Sequence, residues 1–233
     1  MTIVDRNESR KPVVLSWSGG KDSALALAEL QCSDQFQPVA LLTSVTRGYD
    51  RISVHGVRRA LLEEQARSIG LPLIEISLDP NSSNEAYEAA FHRALDEIRA
   101  RWPEVKHIAF GDLFLEDVRA YRERLLSQSG FDPVFPIWGR NTADLAREFV
   151  DRGFKARLVC VDTAQLDGSF AGRAFDAQLL ADLPQSADPC GERGEFHTFV
   201  SSGPIFLSEI SHAAGDRVLR DQRFMYCDLT PAE

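Results

Sequence analysis

The apolar positions along the first half of the chain switch between two periods. Residues 13–17 form a short, mostly apolar run, and residues 23–32 then carry Ala and Leu at helical spacing. The switch recurs. Residues 39–43 (VALLT) read as a buried strand and 57–69 as a helix, with Gly70 and Pro72 as stop signals. Leu73–Leu78 is a third strand, Asn84–Arg101 a long amphipathic helix with Asn84 as its N-cap, and residues 108–110 a fourth strand ending at Gly111. Strands alternating with helices predict parallel βαβ units with helices on both faces of one sheet. A ligand of such a sheet sits beyond the carboxyl ends of its strands.

Near Gly130 the pattern changes. "FDPVFPIWGRN" places two prolines among bulky apolar residues, which suits a linker or a docked crossover. A helix over 142–152, ended by Gly153, and a strand over 157–161 follow, and the tail reads as β structure broken by Gly-Pro turns. The expected fold is α/β: a Rossmann-like parallel sheet over 1–130, with a smaller C-terminal α+β domain over 131–233 that binds substrate. There is no internal repeat and no low-complexity segment.

Composition narrows the function classes. The 26 basic and 35 acidic side chains leave a formal charge of −9, a poor footprint for holding a nucleic-acid backbone. No uncharged apolar run approaches the roughly 18 residues that span a bilayer, and the polar start lacks a signal-peptide core. Cys32, Cys160, Cys190 and Cys227 are scattered singly, without metal-ligand spacing, so a reducing cytoplasm is the expected home.

The candidate chemistry begins at "VVLSWSGGKDSALAL", where the first strand turns into the first helix. Gly19 and Gly20 permit an unusual backbone and a close ligand. The helix start offers N–H groups and a positive dipole end, Lys21 adds a point charge, and Ser18 and Ser23 add hydroxyl donors. A plain βα turn with a solvated lysine would also contain glycine. The density of phosphate donors, placed between a strand and a helix, favours a phosphate cradle. It does not match the Walker GxxxxGK[ST] string.

"SGGKDS" resembles the PP-loop of the ATP pyrophosphatases, the adenine nucleotide α-hydrolase superfamily. "HGVRRALLEEQARSIGLPL", "GDLFLEDVRAYRERLL", "PIWGRNTADLAREFVDRGFKARLV" and "DPCGERGEFHTFVSSGPIF" are similar, in that order, to the diphthine–ammonia ligase family. Residues 115–119 (LEDVR) depart from the Ser-Glu pattern of that family and leave the acceptor open. The resemblance implies that the loop binds the β- and γ-phosphates of ATP while a carboxylate attacks the α-phosphorus. The acyl-adenylate is then opened by ammonium, with Mg²⁺ on the phosphates. Thr2 is not the cysteine of an N-terminal glutaminase, and the second half is too small for an amidotransferase. Nitrogen is therefore expected as free ammonium or from a separate partner. The carboxylate acceptor is a protein of elongation-factor type or a small molecule, and a homodimer is allowed.

Individual residues keep alternatives. Asp22 is a Mg²⁺ ligand or an acidic residue of the first helical turn. Thr43 and Ser44 read the adenine edge or simply end a strand. The resemblance places His55 near ATP, although it also reads as an exposed or capping histidine. Gly111 and Asp112 end the fourth strand at the cleft edge. Glu116, Asp117 and Arg119 suit a solvated helix start as well as acceptor contacts. Glu192 and Glu195, flanking Gly194, are a candidate catalytic pair beside Lys21. Cys190 reads as a buried thiol, and Phe135 and Trp138 as interdomain core. Two competing functions remain: a tRNA-modifying enzyme on the same loop, disfavoured by charge and cysteine spacing, and a non-catalytic nucleotide-binding module.

Overall fold

A computed structural model describes residues 10–48, 51–52 and 56–232. β1 (Lys11–Ser16) is buried on both faces. Val13 and Leu15 pack toward one layer and Val14 toward the other, so the strand lies inside the sheet. α1 (Lys21–Cys32) follows, and β2 (Phe36–Thr46) pairs parallel to β1. β4 (Leu73–Leu78) pairs parallel to β2, β5 (His107–Ala109) to β1, and β6 (Asp132–Val134) to β5. The parallel order is therefore β4-β2-β1-β5-β6, and the two-residue β3 (Arg51–Ile52) is added antiparallel at the end of β2. The expected α/β class holds. The segment read as a linker contributes β6, where Pro133 is tolerated because the strand is an edge.

α3 (Asn84–Arg101) covers one face of the sheet, where Phe91, Leu95 and Ile98 meet Val14, Leu42 and Phe110. Its N-cap is Ser83, whose hydroxyl accepts the Ala86 N–H at 3.3 Å; Asn84 is the first helical residue and bonds Glu88 instead. α1 lies on the opposite face and is buried nearly all round. Ala24, Ala26 and Ala28 keep it slim enough to be covered by the second sheet as well. α2 (Arg59–Ile69) joins α1 there, ended by Gly70 in the left-handed conformation. α4 (Glu116–Leu126) and α5 (Thr142–Asp151) complete the longer helices.

The second sheet is antiparallel, in the order β8-β7-β10-β9: β7 (Lys155–Asp162), β8 (Phe196–Ser202), β9 (His212–Arg220) and β10 (Phe224–Pro231). A short α6 (Ala177–Asp182) precedes the acidic loop at 188–195. One apolar cluster runs from Leu15 and Leu25 of the first layer to Phe196, Phe199 and Val200 of the second. The loop before β8 is thereby pressed against the start of α1.

Candidate active site

The strand-to-helix turn is held from outside. Gly19 has φ +77°, and a Cβ there would stand 2.8 Å from Gln65 Oε1. A Cβ on Gly20 would stand 3.0 Å from the Thr198 carbonyl. Both glycines are thus required by close neighbours, whatever ligand the turn holds. Gln65, fully buried on α2, donates from Nε2 to the Gly19 carbonyl at 3.0 Å and the Val200 carbonyl at 2.6 Å, and accepts Trp17 Nε1–H at 3.0 Å. Val200 N–H also reaches the Gly19 carbonyl. Thr198 Oγ1 accepts the Lys21 N–H at 3.0 Å. Strand β8 and helix α2 together set the conformation of the turn.

Within it, Ser18 Oγ and Ser23 Oγ lie 3.1 Å apart, and Ser18 Oγ accepts the Gly20 N–H. Lys21 is 2 % exposed. Its ammonium donates to both Asp22 oxygens, at 2.9 and 2.8 Å, and to the Cys190 carbonyl, with the Phe196 ring 5.5 Å away. Burial works against this charge, but Asp22, Cys190 and Glu192 outweigh it and hold the ammonium above its usual range.

Two adjoining cavities open at the carboxyl ends of β1, β2, β4 and β5. The smaller, about 270 Å³, is walled by the turn (Ser18 and 20–23), by Gly111 and Asp112, and by Glu192 across from them. The larger, about 710 Å³, is walled by Trp17, Thr43, Ser44, Ile76, Tyr87 and Phe91. Its volume suits a small-molecule ligand. Thr43 Oγ1 is buried there with no hydrogen-bond partner among the described residues, a polar atom that a ligand would satisfy. Ser16, Ser18 and Arg122 belong to both walls.

Glu192 and Glu195 diverge. Glu192 accepts the Leu113 N–H at 2.8 Å and faces the smaller cavity. Burial pushes its carboxyl up to about 7, with Asp22 and Asp112 adding to the rise against the Leu113 N–H and Lys21. Glu195 turns the other way. It is 1 % exposed, and its two oxygens accept the N–H groups of Asp188 at 2.8 Å and Arg193 at 3.0 Å. Of the two glutamates read as a candidate pair, Glu192 thus lines the smaller cavity, while Glu195 is hydrogen-bonded to the backbone of its own loop. Asp188 helps, accepting Thr142 Oγ1–H at 2.7 Å and Cys190 N–H at 2.8 Å.

Of the other expected residues, Gly111 makes its close approach to the first turn of α1, with Asp22 and Ser23 backbone atoms 3.0 Å from where its Cβ would be. Asp112 accepts from Arg122 Nε at 3.4 Å. Cys190 is a buried thiol, as expected: burial raises it to about 12, and Sγ donates to the Thr142 carbonyl. Trp138 and Phe135 stack with Arg119 beside α4. His55 lies outside the described residues. Gln65, Thr198 and Arg122 were not expected. Only Gln65 left a trace in the sequence, as an amide on the apolar stripe of α2 between Leu62 and Ile69.

A family model described as the diphthamide synthase N-terminal domain matches residues 11–133, and one described as the diphthamide synthase C-terminal domain matches 141–228. The first alone spans more than half of the chain. The chain belongs to the diphthamide synthase family.

Both matched segments of the diphthamide synthase pattern reach the cleft, the first with the turn at 18–23 and the second with the loop at 188–195. Curated relatives are each described as a diphthine–ammonia ligase. The human protein is 23% identical over 214 residues, covering 83% of this chain and 79% of its own. The zebrafish protein is 24% identical over 223 residues, covering 87% and 86%. The fission yeast protein is 23% identical over 211 residues; the match covers 83% of this chain but only 34% of that longer protein. These relatives are ligases. Among the described residues, no helix is long and apolar enough to cross a membrane.

Proposed function

We propose that this protein is an ATP-dependent amide ligase of the diphthine–ammonia type. ATP lies with its adenosine in the larger cavity and its β- and γ-phosphates on the turn at 18–23. The acceptor carboxylate attacks the α-phosphorus; the bond to pyrophosphate breaks and an acyl-adenylate forms. Ammonia then attacks the acyl carbon and AMP leaves with the bonding electrons.

The observation that carries this reading is the pairing of a phosphate-type turn with Glu192 across one small cavity. A carboxyl poised near 7 is half ionised at neutral pH and suited to accept the proton that ammonium must lose before its nitrogen can attack. Lys21, already cationic beside Asp22, supplies positive charge to departing pyrophosphate. Asp188 and Glu195 hold the loop so that Glu192 stays opposite the turn.

The residues also suit Mg²⁺. Among the described residues no cluster of three ligand-type side chains is present. Mg²⁺ needs only one or two carboxylates beside phosphate oxygens and water, and Asp22 and Asp112 provide them at the smaller cavity. Bound there, it would neutralise phosphate charge.

The test is product analysis. Purified protein with ATP, Mg²⁺, ammonium and a diphthine-bearing acceptor should yield AMP, pyrophosphate and acceptor amide in equal amounts. ADP as product, or amide formed without ATP consumption, would refute it.

A further inference from the structure

We propose that Arg122 grips the α-phosphate of bound ATP and stabilises the charge that builds there during adenylation. This assignment rests on the ATP reading of the cleft and goes beyond it by naming the cation at the reacting phosphorus. The larger cavity would take the nucleoside and the smaller one the terminal phosphates, so the α-phosphate falls at their junction. Arg122 is the one basic side chain that lines both, among the described residues. Lys21 lines only the smaller cavity, on the side of the terminal phosphates, so the junction is left to Arg122.

Arg122 is also built to stay. Its guanidinium lies 4.9 Å over the Phe110 ring, at the end of β5. Asp112, the next residue but one, accepts from Nε at 3.4 Å, a long contact that a phosphate oxygen would outcompete. The side chain is 23 % exposed, enough to be reached from the cleft. A planar fork with several donors suits the non-bridging oxygens of a phosphate better than a lysine would. α4 thereby brings a residue to the reacting centre from outside both the turn and the acidic loop.

Calorimetric binding of adenosine and of AMP to the full chain tests this without requiring turnover. Wild-type protein should prefer AMP. In Arg122→Ala the AMP affinity should fall about 10- to 100-fold while adenosine affinity holds within twofold. Arg122→Lys should recover part of the loss. AMP affinity unchanged in Arg122→Ala would overturn the assignment. So would an equal loss of adenosine and AMP in both variants, which would mark a structural role. If wild-type protein takes up neither ligand nor ATP, the nucleotide reading itself falls; if it binds them and the variants behave alike, only the role of Arg122 does.

Discussion

Replacing Glu192 with glutamine separates what the cleft needs for chemistry from what it costs the fold. In the folded protein this carboxyl keeps its proton up to about 7, whereas the ordinary value, and that of the unfolded chain, is 4.5. Between those values the folded state binds more protons than the unfolded one, so this group's contribution to stability falls as pH rises from about 4.5 to 7. At about 1.4 kcal/mol per pH unit the difference corresponds to about 3 kcal/mol. Glu192 is only half-buried, and solvent screening brings the expected figure to about 1–2 kcal/mol. Glutamine keeps an acceptor for the Leu113 N–H and carries no charge to desolvate. Urea unfolding should therefore find Glu192→Gln about as stable as wild type at pH 4, and about 1–2 kcal/mol more stable at pH 8. Amide formation should drop about 100- to 1,000-fold in the same variant, and the rise in rate with pH near 7 should disappear. Equal stability changes at both pH values would refute the idea that a desolvated carboxyl sits there.

Three further expectations concern the support of the site. Gln65→Leu should cost about 2–4 kcal/mol, because the Gly19 and Val200 carbonyls and the Trp17 indole N–H lose a buried partner, and ATP affinity should fall with it; urea unfolding and calorimetry read both, and unchanged values would contradict the clamp. Glu195→Ala should lower stability by about 2–4 kcal/mol while ATP affinity stays within threefold, since its oxygens serve the Asp188 and Arg193 N–H groups; a large loss of ATP affinity with unchanged stability would place it in the cleft after all. Iodoacetamide at pH 7.5 should leave Cys190 unmodified by mass spectrometry, and Cys190→Ser should keep turning over; fast labelling would contradict a buried thiol held near 12.

The parallel sheet was legible because each strand–helix switch changes the apolar period locally, and the turn at 18–23 because its glycines, hydroxyls and lysine are contiguous. Where partners are remote, the sequence was silent. Gln65 meets Val200 across 135 positions, and Lys21 meets Thr198 across 177. Two glutamates three positions apart read alike, yet the loop turns one into the cleft and the other into its own backbone. Arg122 reads as an ordinary helix-surface arginine until α4 is docked beside Phe110. The N-cap of α3 shifted by one residue because Ser83 and Asn84 are both competent caps and only backbone conformation chooses between them.

The central claim is that the turn opening α1 holds the phosphates of ATP. Calorimetric titration of wild type and Lys21→Ala with ATP and Mg²⁺ tests it most directly, with circular dichroism confirming that both are folded. Saturable one-to-one binding to wild type, weakened at least 100-fold in the variant, is the predicted result. Absence of ATP binding to wild type, or undiminished binding to Lys21→Ala, would contradict it.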